Sequence, residues 1–167
     1  IHLTQPALRQ SEPPGRGHMP LNPDIVGKQY PDTAPYLIGR EKVREFADAI
    51  GDSSPVFHDL TAAAELGYPD LPAPPTFAFV VTQRAMASAM FDPELGLDYS
   101  RVVHGEQSFD YRRPLQAGDE VIVRAHIAEV HTRGRNEFLV TQADVVTTAG
   151  ELVVSTRSTI ASRGTAA

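Results

Sequence analysis

The stretch at residues 76–91, TFAFVVTQRAMASAMF, has Arg84 as its one charged side chain and is mostly apolar or small on every face of a helix. Pro75 precedes it, where a proline is tolerated in the first turn of a helix, and Asp92-Pro93 ends it. A helix that is apolar all round must be covered on most sides, and at about 16 residues this one is too short to span a bilayer. The stretch therefore predicts a long, buried central helix.

The sequence after this helix changes to a two-residue alternation rich in β-branched side chains. This alternation predicts four strands, at residues 101–112, 120–131, 137–147 and 151–161. The turns between them fall at Gly118-Asp119, at 133–136 and at Ala149-Gly150. Consecutive strands joined by short links must be antiparallel, so we expect a four-stranded meander.

The part of the chain before the central helix predicts three short elements: a strand at 36–38, a helix at 40–50 and a second helix at 61–66. In the helix at 40–50 the apolar residues recur every three or four positions and form one stripe. A long buried helix laid against a curved antiparallel sheet is the hot-dog arrangement. The predicted fold class is therefore α+β, a hot-dog fold whose central helix is wrapped by the sheet.

Length and composition limit what this chain can be. Its 167 residues suit one domain, which we assign to residues 19–163, with a flexible tail at 1–18 and a flexible C-terminus at 164–167. The net charge of −6 argues against a nucleic-acid partner, because binding a phosphate backbone needs a basic surface. The chain contains no Cys, which excludes disulfides and cysteine nucleophiles. We find no signal peptide or membrane-spanning segment and expect a cytoplasmic protein without membrane contact.

Three pieces of the sequence resemble one family of hot-dog proteins. The first spans 39–59, opening with GREKVREFADAIG and closing with SPVFHD; the others are AAELGYPDLPAPPTF at 63–77 and LDYSRVVHGEQSFDYRRPLQAGDEV at 97–121. In order and spacing they look like the MaoC-like dehydratases and hydratases. The closest branch is that of their N-terminal half, the FAS1-like dehydratase branch, which includes actinobacterial (3R)-hydroxyacyl-ACP dehydratase subunits. The resemblance implies an acyl-CoA or acyl-ACP thioester substrate and a place in fatty acid metabolism.

The family's catalytic Asp and His come from a D-x-N-P-x-H motif and move water and its proton between them. The matching segment of this chain, at 52–58, keeps Asp52 and the proline. Ser54 replaces the Asn, and Phe57 stands where the His is expected, with His58 one residue later. Two interpretations remain open. Asp52 and His58 form a displaced catalytic dyad, or the segment is a helix-terminating loop held by turn and capping contacts.

The resemblance also implies residues that bind the substrate. Backbone N–H groups at the start of the central helix are expected to stabilise the enolate oxygen, here those around Thr76 and Phe77, next to Pro75, which has none. His104 and Gly105 are expected near the acyl and pantetheine tunnel. The alternative for His104 is a structural residue held by hydrogen bonds.

Other polar residues carry weaker signals. Arg112 and Arg113 have two interpretations. They form a basic spot that binds CoA phosphates or an acidic carrier protein, or they lie at a solvated strand edge. His126 and His131 have no partner at the spacing of metal ligands, so we predict no metal. The chain also lacks a glycine-rich nucleotide motif, and we predict no cofactor.

The sequence thus predicts an (R)-specific enoyl-thioester hydratase or 3-hydroxyacyl-thioester dehydratase, or its substrate-binding subunit. A lone curved sheet leaves an edge strand uncovered, so we expect a homodimer or a heterodimer with a second MaoC-like subunit. Two alternatives stay open. One is a non-catalytic acyl-thioester-binding subunit that partners a catalytic MaoC protein. The other is a hot-dog thioesterase, although residues 76–91 contain no carboxylate to activate water.

Overall fold

A computed structural model describes residues 20–166, so the tail predicted at 1–18 lies outside the described residues. The helices are α1 (Arg40–Ala49), α2 (Leu60–Glu65) and α3 (Ala78–Met90). The strands are β1 (Tyr36–Leu37), β2 (Val102–Tyr111), β3 (Glu120–Arg133), β4 (Asn136–Thr147) and β5 (Leu152–Ser162). All five strands join one antiparallel sheet in the order β1-β3-β4-β5-β2. The sheet curls around α3, which confirms the predicted α+β hot-dog fold.

The predicted four-stranded meander is wrong in one respect, because β2 pairs with β5 and not with β3. The link at 112–119 crosses from β2, at one edge of the sheet, to β3, which lies between β1 and β4 on the other side. On its way the carbonyl oxygen of Leu115 accepts a hydrogen bond from the Ala73 N–H at 2.7 Å, and the Ala117 N–H donates to Leu71 at 2.9 Å. The meander therefore consists of β3, β4 and β5, and β2 closes the far side.

Helix α3 is the centre of the core, as predicted, but it begins two residues later than the sequence pattern suggests. The chain makes a turn first, in which the Phe77 N–H donates to the Pro74 carbonyl at 2.9 Å. The ring of Phe77 is fully buried and meets the ring of Phe46 edge-on, with centroids 5.3 Å apart. The buried residues of α3 recur every three or four positions and form one stripe: Ala78, Val81, Thr82, Ala85, Met86 and Ala89.

The two edges of the sheet differ in what covers them. The segment before β1 runs beside β3, where the N–H groups of Gly27, Tyr30 and Thr33 donate to carbonyl oxygens of that strand at 2.8–3.1 Å. No strand of the described residues pairs with the other edge, formed by the ten residues of β2. An exposed edge of this length offers unpaired backbone groups to another chain.

The flexible C-terminus predicted at 164–167 stays a prediction. In the described part of that segment the Gly164 N–H donates to Asn136 Oδ1 at 3.1 Å, and the Ala166 N–H donates to the Arg135 carbonyl at 3.3 Å. These contacts connect residues after β5 to the turn between β3 and β4.

A buried carboxylate, Asp92, connects the N-terminal segment to the end of α3. Its Oδ2 atom lies 2.7 Å from Lys28 Nζ and accepts a hydrogen bond from the Tyr30 hydroxyl at 2.8 Å, and its side chain is 6% exposed. The hydrogen bond from Lys28 holds the pKa of Asp92 below its usual range, and the Tyr30 hydroxyl acts in the same direction. Asp92 therefore contributes stability in its ionised form.

We expect Asp92→Asn to flatten the acid side of the stability profile. A carboxyl whose pKa is lower in the folded than in the unfolded state contributes stability above the unfolded value, about 3.9 for Asp, and loses it as the pH falls through the folded value. Denaturant unfolding at several pH values from 7 down to 3 measures the slope, and Glu65→Gln, at an exposed position of α2, is the control. An equal slope in wild type and Asp92→Asn would contradict the prediction.

Candidate functional site

The segment with the altered motif forms a capped turn after α1. The Asp52 Oδ1 atom accepts a hydrogen bond from the Ser54 N–H at 3.0 Å, and Pro55 begins a short 3-10 turn that ends at Phe57. The carboxylate of Asp52 thus has a structural partner within its own loop. This is the contact that the capping interpretation predicts.

His58 lies next to Asp52 but contacts its backbone. The His58 Nε2 atom is 3.1 Å from the carbonyl oxygen of Asp52 and 3.9 Å from the carboxylate of Asp48. The carbonyl of His58 itself accepts a hydrogen bond from Arg44 Nε at 3.0 Å. The structure therefore brings the two residues of the predicted dyad together without a hydrogen bond between the imidazole and the Asp52 carboxylate.

The residue before His58 lines a cleft. We call this cleft A; its volume is about 450 Å³, and most of its lining is apolar. It is bounded by Val56, Phe57, Leu66, Tyr68, Pro72, Ala73, Pro75, Tyr111, Arg112, Arg113 and Pro114. Position 57, where the family's His is expected, contributes to this wall, whereas His58 is absent from it.

The start of α3 leaves one backbone donor free beside cleft A. The N–H of Phe77 is used by the Pro74 carbonyl, and Pro75 has no N–H. The N–H of Thr76 makes no hydrogen bond with any residue of the described chain, and its side chain is exposed. Of the two donors expected here, Thr76 is available and Phe77 is occupied.

Tyr111 fixes the peptide group that carries this donor. Its hydroxyl donates to the carbonyl oxygen of Pro75 at 2.7 Å, and burial raises the pKa of Tyr111 to about 12. The phenol therefore stays protonated at neutral pH. Because a trans peptide holds its C=O and N–H in one plane and in opposite directions, this hydrogen bond also orients the Thr76 N–H. Tyr111 was not among the residues predicted from the sequence.

A second cavity lies between α3 and β2. We call it cavity B; its volume is about 370 Å³. Its walls are Phe79, Gln83, Met86, Ala87, Met90, Phe91, Tyr99, Val102, His104 and Ile160. The His104 Nε2 atom lies 3.2 Å from Ser158 Oγ, and its ring centroid is 5.9 Å from that of Phe79. His104 therefore both lines a cavity and makes a hydrogen bond to the sheet.

Gly105 occupies a β-bulge in β2. The pairing with β5 shifts between His104 and Glu106, and a Cβ atom at position 105 would come 3.4 Å from the carbonyl oxygen of Thr159. The bulge changes which side chains of β2 turn inward after it. One of these is Gln107, whose buried Oε1 atom has no hydrogen-bond partner among the described residues. Gln107 was also not predicted from the sequence.

The two arginines that follow β2 differ in their ion pairs and in their exposure to solvent. Arg113 donates to both Asp119 and Glu151 at 2.8–3.1 Å, and these hydrogen bonds raise its pKa. Arg112 is exposed at the rim of cleft A and lies 3.3 Å from Asp110. The guanidinium of Arg113 is therefore committed to the fold, and Arg112 is the more accessible cation.

Two features are absent from the part of the chain that the structure describes. Within 20–166, no group of three or more His, Asp or Glu side chains has the arrangement of a metal site. None of the helices in that range is long and apolar enough to cross a membrane.

Comparisons with known proteins give consistent matches. The family model of the FAS1-like dehydratase domain region matches residues 24–156. A UPF0336 protein of Saccharopolyspora erythraea is 49% identical over 148 residues, which make up 89% of this chain and 95% of the relative. The structure is similar to the HadBC (3R)-hydroxyacyl-ACP dehydratase complex of Mycobacterium tuberculosis, with 32% identity and a TM-score of 0.74 over 83% of this chain and 97% of that chain. A MaoC-like dehydratase is 31% identical with a TM-score of 0.71, but the match covers 83% of this chain and only 42% of that chain.

Proposed function

The chain belongs to the FAS1-like dehydratase domain family, and we propose that it is the acyl-thioester-binding subunit of an (R)-specific enoyl-thioester hydratase or 3-hydroxyacyl-thioester dehydratase. In this proposal it binds acyl-CoA or acyl-ACP, and a second MaoC-like subunit supplies the carboxylate and imidazole. The observation that carries the proposal is the geometry of Asp52 and His58. The Asp52 carboxylate caps its own turn, and His58 Nε2 faces the backbone carbonyl of Asp52, so these two side chains are not paired as an acid and a base within residues 20–166.

This chain contains groups that can bind the thioester and stabilise negative charge on its oxygen. Addition of water to an enoyl thioester builds negative charge on the thioester oxygen, and a preorganised N–H donor stabilises that charge. The Thr76 N–H, oriented through Tyr111 and Pro75, is such a donor. Cleft A and cavity B offer apolar walls for the rest of the thioester. The proposed reaction uses carboxylate, imidazole and backbone N–H groups and calls for no cofactor.

The open edge of β2 supports a partner subunit. The Arg112 N–H donates to Val153 of β5 at 2.8 Å, so by alternation the N–H and C=O groups of Tyr111 and Phe109 point away from β5, to the open edge. A second hot-dog subunit that pairs there would satisfy them. The mycobacterial neighbour is itself a complex, and the MaoC-like dehydratase has a chain more than twice as long as the part matched here. Both observations favour a paired unit. The proposed location is the cytoplasm, which the absence of Cys fits.

Crotonyl-CoA tests the proposal. We expect the purified chain alone to cause neither loss of the enoyl absorbance nor release of free thiol. When a second MaoC-like subunit recovered by co-purification is added, the enoyl absorbance should fall. Hydration by the chain alone would favour a complete hydratase acting as a homodimer, and free thiol would favour a thioesterase; either result would overturn the proposal, as would a reconstituted pair that leaves the substrate unchanged.

A further inference from the structure

The carbonyl oxygen of the Gln107 side chain is a buried hydrogen-bond acceptor without a donor. Its Oε1 atom is inaccessible to solvent and unpartnered among the described residues, and its Nε2 atom reaches the Ser108 carbonyl at 3.4 Å, a long distance for a hydrogen bond. A buried acceptor is costly to leave unpaired, and native proteins keep few of them. An unpaired acceptor inside the fold is therefore a site that a donor from outside could satisfy.

Gln107 faces the interior of the sheet, beside cavity B. It pairs with Ser158 of β5, and directly paired residues of antiparallel strands share a face. Ser158 is 1% exposed and lies 3.2 Å from His104 Nε2, and Ile160, two residues further along β5, lines cavity B. His104, Ser158 and Gln107 thus form a polar strip on the face of the sheet that packs against α3.

Along β2 this strip lies between the two cavities. His104 lines cavity B, and Tyr111 lines cleft A and contacts Pro75 at the start of α3. Gln107 is three residues from the first and four from the second, roughly 10 Å and 13 Å along an extended strand. Gln107 is in the wall of neither cavity, and a thioester that extended from one cavity to the other would pass it.

We propose that Gln107 Oε1 accepts a hydrogen bond from a donor next to the thioester carbonyl of the bound ligand. This proposal rests on the function proposed above and adds a recognition residue to it. A hydroxyacyl thioester has such a donor in its 3-hydroxyl group, and every CoA or carrier-protein thioester has another in the amide N–H nearest the sulfur. A site that holds an unpaired acceptor discriminates against ligands that lack the donor, because the acceptor then stays unsatisfied in the complex.

Calorimetric titration of the purified protein with 3-hydroxybutyryl-CoA and with butyryl-CoA tests the proposal. The variant Gln107→Met keeps the length of the side chain and removes its acceptor. We expect it to weaken the binding of at least the hydroxyacyl ligand by roughly 3- to 10-fold, the usual effect of one neutral hydrogen bond. A loss confined to 3-hydroxybutyryl-CoA identifies the hydroxyl as the donor, and an equal loss for both ligands identifies the amide. Gln29→Met, at an exposed position outside both cavities, is the control and should change neither affinity.

The stability of the variant separates recognition from a structural role. Removing an acceptor that is unpaired in the free protein should leave Tm unchanged or raise it. A second variant, Gln107→Leu, should bind like Gln107→Met, so that the result does not depend on one side chain. Unchanged affinity for both ligands would overturn the proposal, as would a lowered Tm with unchanged affinity. A wild-type protein that binds neither ligand would overturn the proposed function and this inference together, whereas wild-type binding that Gln107→Met preserves would remove this inference alone.

Discussion

Replacing Phe77 by alanine is expected to lower the free energy of unfolding by about 3–5 kcal/mol. The ring is fully buried where the turn before α3 meets the core and packs edge-on against Phe46. The substitution removes this apolar area from the core and leaves a cavity that the sheet and α1 cannot fill without moving. Domains of this size typically have only about 5–15 kcal/mol of stability. The variant should therefore lose a large fraction of the stability of the domain.

Phe91→Ala is the matched control for this prediction. Phe91 follows the other end of α3, its side chain is 65% exposed, and it stacks on Tyr99 with centroids 5.3 Å apart. The same chemical deletion there should cost less than about 1 kcal/mol, because most of the ring is in water already. Urea unfolding of both variants measures the difference. Equal losses at the two positions would show that burial at Phe77 does not decide the stability of this fold.

The position of α3 was predictable because its signal is local. Its apolar stripe, the prolines before it and Asp92-Pro93 after it are all read from adjacent residues. The place of β2 was not predictable in the same way. Alternation identifies a strand but carries no information about which strand becomes its neighbour, and here the link at 112–119 crosses the sheet from β2 to β3, which lies beside β1.

The direction of side chains on β2 depends on one residue. Without a bulge, alternation from His104 would place Glu106 and Ser108 inward. The register shift at Gly105 reverses this order, so that Gln107 turns inward instead. A glycine inside a predicted strand is a signal for a bulge, and that signal was present in the sequence. What the sequence lacks is the size of the shift and the side chain that it selects.

The geometry of the altered motif at 52–58 could also not be predicted from the sequence. The sequence identifies Phe57 at the position of the family's His and His58 one residue later. Only the three-dimensional structure shows that Phe57 lines cleft A and that His58 contacts the backbone of Asp52. In a loop a shift of one residue has no fixed geometric consequence, because the backbone angles there do not repeat.

Removing the second subunit from the complex is expected to lower the hydration rate by about 10²–10⁴-fold. This range is the usual contribution of a positioned acid or base to catalysis, and in the proposed function the partner supplies both groups. This chain retains the thioester-binding surfaces. Separating the subunits should therefore lower its affinity for the thioester less than it lowers the hydration rate. Crotonyl-CoA hydration by the complex, by each separated subunit and by the recombined pair measures the loss and its recovery.

Variants of this chain decide whether the acid–base pair lies in the partner. Within the complex, Asp52→Asn and His58→Ala should each keep the hydration rate within about two-fold, because neither side chain takes part in the proton transfers of the proposed reaction. Asp52→Asn retains an oxygen that can accept the Ser54 N–H, so its turn should persist. Rates are compared well below the Tm of each variant, which removes any effect of stability. If either variant instead loses 10²-fold or more, about the contribution of a catalytic acid or base, then His58 turns to the Asp52 carboxylate during turnover, and the displaced dyad of this chain performs the chemistry.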